Sequence, residues 1–150
     1  MREKIEARTS YTFPVAAEKV YDAWLEPASI RVWLSHSLKS HGLMGEIVRV
    51  DVDPKVGGQF FFSDRRGESI AEHWGRYLQL ERPEKIAFTW IVDASQEEDP
   101  SIVTLSLHPT ATGCEATIVH QMDAEWIEYV ERTAEGWQRM LANIDQLLQP

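Results

Sequence analysis

The sequence predicts an α+β fold in which a curved antiparallel sheet of seven strands surrounds one long C-terminal helix, with two short helices after the first strand. Three features lead to this fold class. The chain opens with a strand pattern, and six further segments between residues 46 and 120 have the apolar alternation of strands. The last segment, residues 126–148, instead repeats its apolar residues at spacings of three and four, as an amphipathic helix does. Only this helix is long enough to cover one face of such a sheet.

The first strand is predicted from Lys4 to Phe13. Its charged residues occur on one face only, which is typical of a half-buried strand. Pro14 ends the strand, and a short helix follows over residues 16–25. Pro27 suits the first turn of a second short helix. Residues 35–45 are polar, lack a clear period and include two glycines, so we expect a mobile loop there.

Six further strands are predicted in the middle of the chain. The longest contains Gly75 in its interior, and an interior glycine predicts a β-bulge that bends the sheet. The sequence leaves open which face of this strand points inward, because a bulge can exchange the two faces. The predicted strands cover residues 46–53, 59–63, 68–80, 86–92, 103–107 and 116–120.

The terminal segment is predicted to form one helix of about six turns, roughly 35 Å long. Asp123 is its expected N-cap, and Trp137 is expected to be its main core residue. Gly136 costs about 1 kcal/mol of helix propensity relative to alanine, so we expect a steric reason for it, namely close packing on the sheet. The apolar stripe consists of Trp126, Ile127, Val130, Ala134, Trp137, Met140, Leu141, Ile144 and Leu148.

The charge balance argues against two classes of partner. Fifteen basic and 24 acidic residues give a formal net charge of −9, which disfavours nucleic acid and anionic membranes. Cys114 is the only cysteine, so an internal disulfide and cysteine-based zinc sites are excluded. No signal segment and no stretch of roughly 18–20 apolar residues occurs. We therefore expect a single domain, residues 1–150, that works in the cytoplasm without a nucleic-acid or membrane partner.

Several motifs resemble those of one family. Residues 20–24 (VYDAW) are similar to the start of START-like domains, and residues 53–60 (DPKVGGQF) resemble the family's paired-glycine strand entry. Gly75 with residues 80–90 resembles its central hairpin, and residues 136–141 resemble part of its C-terminal portion. These motifs occur in the right order along nearly the whole chain. The chain thus resembles the homologues of the activator of heat shock protein 90 ATPase, in the START-like (SRPBCC, helix-grip) superfamily.

The resemblance implies a cavity between the sheet and the long helix, which in relatives often holds an apolar small molecule. Non-catalytic binding of such a ligand is the first expected function, with residues 35–45 covering the entrance. A chaperone-linked adaptor in the stress response is the second, and a cyclase or dehydratase is the third. An enclosed apolar cavity favours the first, and a filled interior with an exposed apolar patch favours the second. Two or more ionisable groups converging in the cavity favour the third.

Six residues are candidates for contact with a ligand in this cavity. The tryptophans among them are alternatively plain core residues. His120 is either a hydrogen-bonded core histidine or a polar group of the cavity, and His73 is either a hydrogen-bonded or exposed histidine or a ligand contact. No metal is expected, because His36 and His41 are five residues apart and a metal pair needs spacing matched to one face of an element, plus further ligands. No cofactor or catalytic residue is expected, because the sequence lacks phosphate-binding, dinucleotide-binding and serine-hydrolase motifs. The six candidates are Trp33, His73, Tyr77, Trp90, His120 and Trp137.

Overall fold

The computed structural model describes residues 3–149, and in this part of the chain seven strands form one antiparallel sheet. The order of the strands across the sheet is β1-β7-β6-β5-β4-β3-β2. No helix within the described residues is both long and apolar enough to cross a bilayer. The elements are β1 (Lys4–Phe13), α1 (Ala17–Leu25), α2 (Pro27–Ser40), β2 (Glu46–Val52), β3 (Gln59–Arg66), β4 (Ser69–Glu81), β5 (Lys85–Trp90), β6 (Ser101–Pro109), β7 (Cys114–Asp123) and α3 (Val130–Leu148).

The predicted fold class is confirmed. β1 pairs with β7 over its whole length, from Lys4 opposite Asp123 to Phe13 opposite Cys114. The helices α1 and α2 carry the chain from this edge of the sheet to β2 at the other edge. α3 packs against the inner face, where the Tyr11 hydroxyl on β1 donates a hydrogen bond to the Asp145 carboxylate at 2.6 Å. The order of elements along the chain is therefore the predicted one.

The inner face of the sheet carries the core, as the period-two pattern predicts. Alternate residues of β6 and of β7 point toward α3. The face of α3 that contains Trp137 packs against them. Burial of these apolar side chains is the main force that holds the helix on the sheet. The members from these three elements that are at most 1% exposed are Val103, Leu105, Leu107, Cys114, Ala116, Ile118, Leu141 and Ile144.

The sheet bends at β4, and Gly75 is required there. A Cβ at Gly75 would lie 2.0 Å from the Thr89 carbonyl oxygen of β5, so only glycine allows the two strands to approach this closely. The irregular register lies slightly further on, between Tyr77 and Gln79. Since the bulge follows Tyr77, His73 and Tyr77 both point inward, which answers the question that the sequence left open.

The predicted mobile loop over residues 35–45 is wrong for its first half, because α2 continues to Ser40. Serines in this segment satisfy their hydroxyls locally: Ser37 donates to the Trp33 carbonyl at 2.8 Å. Ser37 is also buried and accepts a hydrogen bond from Asn143 of α3 at 3.0 Å. Polar residues in this helix are therefore part of a helix–helix contact. We conclude that this segment up to Ser40 is not the flexible cover that the sequence suggested.

The predicted terminal helix is wrong in its first turns. Residues Ala124–Tyr129 form a 3₁₀ helix, in which Trp126 departs from helical dihedral angles, and α3 begins only at Val130. Asp123 does act as an N-cap, since its side chain accepts a hydrogen bond from the Glu125 amide. The expected packing role of Gly136 is also wrong, because a Cβ there would meet no atom within 4 Å outside its own helical turns.

Candidate functional site

An aromatic cluster lies between α3 and the inner face of the sheet. The Trp24 ring stacks on Trp33 at 5.4 Å between centroids and on Trp137 at 6.1 Å. The Trp90 ring meets Trp137 edge-on at 5.4 Å. These offset and edge-on arrangements are the favourable ones for aromatic rings. A small cavity in this cluster is lined by Trp24, Trp33, Leu34, Phe60, Phe62, Tyr77, Phe88, Trp90, Trp137 and Met140.

Each element supplies its side chains to the cluster by its own periodicity. Phe60 and Phe62 alternate along β3, and Phe88 and Trp90 alternate along β5, so each pair shares the inner face. Trp33 of α2 is held in place because its indole N–H donates to the Ala23 carbonyl at 2.9 Å. The cluster thus combines three layers of structure: the sheet, the two short helices and α3.

The cavity is much smaller than an organic ligand. Its volume is about 20 Å³, which is room for about one water molecule. The space is not sealed from the surface, because Trp90 and Met140 in its wall are only partly buried. A ligand would therefore have to displace side chains, and Met140 is the most flexible of those in the wall.

Of the six residues predicted from the sequence, Trp33, Tyr77, Trp90 and Trp137 line the cavity directly. His73 and His120 are not among the lining residues, but each has its ring beside a lining tryptophan. The prediction missed six lining residues. Four of them are aromatic and lie at inward positions of predicted strands or on the predicted first helix, so strand alternation and helical spacing were signals that could have identified them. The missed residues are Trp24, Leu34, Phe60, Phe62, Phe88 and Met140.

His120 is held in a complete chain of hydrogen bonds. The Trp137 indole N–H donates to His120 Nδ1 at 3.0 Å, and His120 Nε2 lies 2.9 Å from the Ser101 hydroxyl. Ser101 in turn donates to the Trp90 carbonyl at 2.9 Å. Because Nδ1 accepts, the proton must be on Nε2, and the ring is neutral. Burial lowers the pKa of His120 to about 4, which agrees with this.

His73 has a different environment. Its ring stacks on Trp90 at 5.1 Å with 26° between the planes, and it is partly buried. The side chain of Asp64, almost fully buried, is paired with Arg66 at 2.7 Å close to this ring. Burial lowers the pKa of His73 to about 4; the negative charge of Asp64 opposes the shift and the positive charge of Arg66 adds to it. His73 is therefore a neutral imidazole at neutral pH.

Tyr77 and the acidic and basic groups around the cluster offer little further chemistry. Burial raises the pKa of the Tyr77 hydroxyl, with a smaller contribution from Asp53, so this phenol stays protonated. No group of three or more His, Cys, Asp or Glu side chains within residues 3–149 is arranged to hold a metal ion. The site as described is an apolar cluster with one hydrogen-bonded histidine and one histidine that stacks beside it.

A family model described as "Activator of Hsp90 ATPase homolog 1-like protein" matches residues 14–149. The chain belongs to this family. No curated protein matches the sequence. Membership agrees with the START-like helix-grip assignment that the motifs suggested.

Several solved structures have the same fold as this chain. Protein CV1439 from Chromobacterium violaceum is 25% identical, with a TM-score of 0.78 and 97% of each chain covered. The AHSA1-like protein from Aeromonas hydrophila is 21% identical, with a TM-score of 0.75, covering 95% of this chain and 90% of that one. A Staphylococcus aureus protein of unknown function, SA2116, is 16% identical, with a TM-score of 0.79, covering 99% of this chain and 98% of that one. The latter two show the fold alone.

Proposed function

We propose that this domain binds a small, flat, apolar molecule between α3 and the sheet, without catalysing a reaction on it. The observation that carries the proposal is that the aromatic cluster reaches the surface. Trp90 and Met140 remain partly exposed although they lie in the wall of the cavity. A binding site for a small molecule is generally a concave, mostly aromatic surface with few polar groups, and this cluster has that composition.

Binding requires the cluster to open. An engineered apolar cavity that holds benzene has a volume of about 150 Å³, several times the space present here. Met140 is the side chain best suited to provide this room, because it is unbranched, flexible and at the edge of the cavity. The bound form would have Met140 turned outward and the ligand against the rings of Trp90 and Trp137.

The absence of catalysis is supported by the state of the ionisable groups near the cavity. Both ring nitrogens of His120 are occupied, by Trp137 and by Ser101. The Tyr77 phenol is held protonated by burial. A cyclase or dehydratase would need at least two groups that exchange protons at one place, and of the described histidines and tyrosines in or beside the aromatic cavity only His73 is available. The proposal treats residues 1–150 as one domain in the cytoplasm, where its one buried thiol, Cys114, stays reduced.

The proposal is tested with naphthalene as the probe and thermal unfolding as the measurement. Naphthalene should raise the melting temperature of the wild-type protein, and Met140→Trp, which fills the cavity, should abolish this shift. Met44→Trp is the matched control because Met44 is 56% exposed, and it should behave like wild type. Native mass spectrometry of freshly purified protein should also detect a bound small molecule. An absence of both naphthalene binding and any co-purified molecule would overturn the proposal.

A chaperone-linked adaptor is the second candidate, because the interior is nearly full and an apolar patch is exposed. The patch consists of Trp126, Ile127 and Tyr129 in the 3₁₀ helix, which are 41%, 64% and 41% exposed. Exposed apolar residues that lie together mark protein contacts more often than isolated ones do. If this function is correct, the protein stimulates the ATPase of purified Hsp90, Ile127→Ser removes the stimulation and Met140→Trp leaves it unchanged.

A further inference from the structure

The sheet has a gap beside the aromatic cluster. β5 ends at Trp90. The last backbone hydrogen bonds between this part of the chain and β4 join Trp74 and Ile91, at 3.0 and 2.9 Å. The first half of β4 therefore pairs with β3 only, and its other edge faces the segment that begins at Val92. An open depression of about 610 Å³ occupies this gap, and Arg66, His73, Val92 and Asp93 contribute to its walls.

His73 lies between this depression and the aromatic cavity. Its ring belongs to the wall of the depression and stacks on Trp90, which in turn lines the cavity. Neither ring nitrogen of His73 has a hydrogen-bond partner among residues 3–149, and both nitrogens reach solvent, because no fully buried side-chain polar atom in this range lacks a partner. The nitrogens of His120 differ in this respect, because both are paired. A histidine that is partly buried yet unpaired must obtain its hydrogen bonds from water or from a bound molecule.

The charges around His73 restrict what that molecule can be. Asp64 and Arg66 form an ion pair with each other, so neither offers an unpaired charge to a ligand. Glu72 and Asp93 also contribute to the depression, and Asp93 already accepts a hydrogen bond from the Ser95 amide. A carboxylate or sulfonate would thus meet a neutral imidazole and two further acidic groups. An uncharged hydroxyl or carbonyl group could instead form a hydrogen bond with the neutral imidazole, which has one donor nitrogen and one acceptor nitrogen.

We propose that His73 determines ligand specificity by forming a hydrogen bond with the single polar group of an uncharged, otherwise apolar ligand. This inference rests on the proposed function and names the class of ligand: flat molecules with one hydroxyl or carbonyl group at one end. The apolar rings occupy the space beside Trp90 and Met140, and the polar end points to His73 and the depression. Burial keeps the imidazole neutral, so it offers one donor and one acceptor at neutral pH.

The test compares three probes of equal ring size: naphthalene, 2-naphthol and 2-naphthoate. The dissociation constants are measured at pH 7 for wild type, His73→Phe and His73→Gln. Phenylalanine keeps an aromatic ring on Trp90 but has no hydrogen-bonding atom, whereas glutamine keeps a donor and an acceptor. Wild type should bind 2-naphthol about fivefold more tightly than naphthalene, and naphthoate more weakly than naphthol.

In His73→Phe the preference for naphthol should disappear while naphthalene affinity is unchanged, and His73→Gln should retain part of the preference. The melting temperature of each variant without ligand shows that it is folded. If naphthalene binds but the naphthol preference is the same in all three proteins, the role of His73 is wrong and the proposed function stands. If none of the three probes binds to wild type, this inference fails, and the proposed function fails with it when no small molecule co-purifies.

Discussion

Protonation of His120 should destabilise the fold as the pH falls, and the chain of hydrogen bonds through this residue explains why. In the folded protein Nδ1 of His120 accepts the Trp137 N–H, and a second proton at Nδ1 would break this bond inside the core. The pKa of His120 is lowered from 6.5 to about 4 by burial. The unfolded chain therefore takes up this proton at a higher pH than the folded protein does. The contribution to stability is complete well above pH 6.5 and is lost progressively as the pH falls from 6.5 to about 4.

The expected magnitude follows from the two pKa values. A shift from 6.5 to about 4 corresponds to about 3 kcal/mol in total, of which about 2 kcal/mol is lost between pH 7 and pH 5. His120→Gln removes the titrating group, so its free energy of unfolding should change by about 2 kcal/mol less over the same interval. Urea unfolding at the two pH values measures both quantities. His36→Gln is the control, because His36 is an exposed histidine on α2.

Two results would refute this reasoning. One is an equal change with pH in wild type and His120→Gln. The other is a titration of the His120 ring, followed by NMR in the folded wild-type protein, with a midpoint near 6.5 instead of about 4. The NMR titration also serves if His120→Gln does not fold, since it needs no variant. His73 titrates in the same direction, but Asp64 and Arg66 also affect it, so His120 gives the clearer test.

Three further predictions concern stability, measured by thermal or urea unfolding. Trp137→Ala should cost about 3–5 kcal/mol, because the side chain is 5% exposed and contacts Trp24 and Trp90; a melting temperature within two degrees of wild type would contradict the packing of α3. Gly136→Ala should stabilise the protein by up to about 1 kcal/mol, since a Cβ there meets nothing; a loss of stability would show a contact that the structure lacks. Gly75→Ala should destabilise strongly, because its Cβ would lie 2.0 Å from the Thr89 carbonyl oxygen; a variant of wild-type stability would mean that the sheet can open there.

The inner faces of the strands could be predicted from the sequence, because burial on one side of a strand produces an alternation of apolar and polar residues. Ala116, Ile118 and His120 alternate with exposed or half-buried residues, and all three point inward. Such a pattern depends only on neighbours along the same strand. The order of the elements could be predicted for the same reason, since each element has its own period and turn residues. The motifs of the family then gave the arrangement of these elements.

The end of α2 could not be predicted in this way, because it depends on a distant residue. Ser37 is polar, yet it is 3% exposed and bonded to Asn143, more than 100 positions along the chain. A polar segment without a period is normally a loop, and only the tertiary contact makes this one a helix. The start of α3 failed for the opposite reason. Trp126 and Ile127 fit the apolar stripe but are exposed, because a 3₁₀ helix turns them away from the sheet.

The difference between the two histidines near the cavity is the strongest structural argument for a ligand. Both point inward, His73 from β4 and His120 from β7. Both lie beside a tryptophan of the cluster, and burial lowers the pKa of both to about 4. His120 has every hydrogen bond that a neutral imidazole can form, so its role is complete without any further molecule. His73 has none, although an apolar residue at this position would stack on Trp90 equally well. No fully buried side-chain polar atom of residues 3–149 lacks a partner, so the His73 nitrogens reach the surface, where water or a ligand can bond to them. The exposed patch at Trp126 does not account for His73, because the patch belongs to the 3₁₀ helix and the cavity wall includes neither Trp126 nor Tyr129. Ligand binding at the cluster therefore explains a feature of the interior that the adaptor function leaves unexplained.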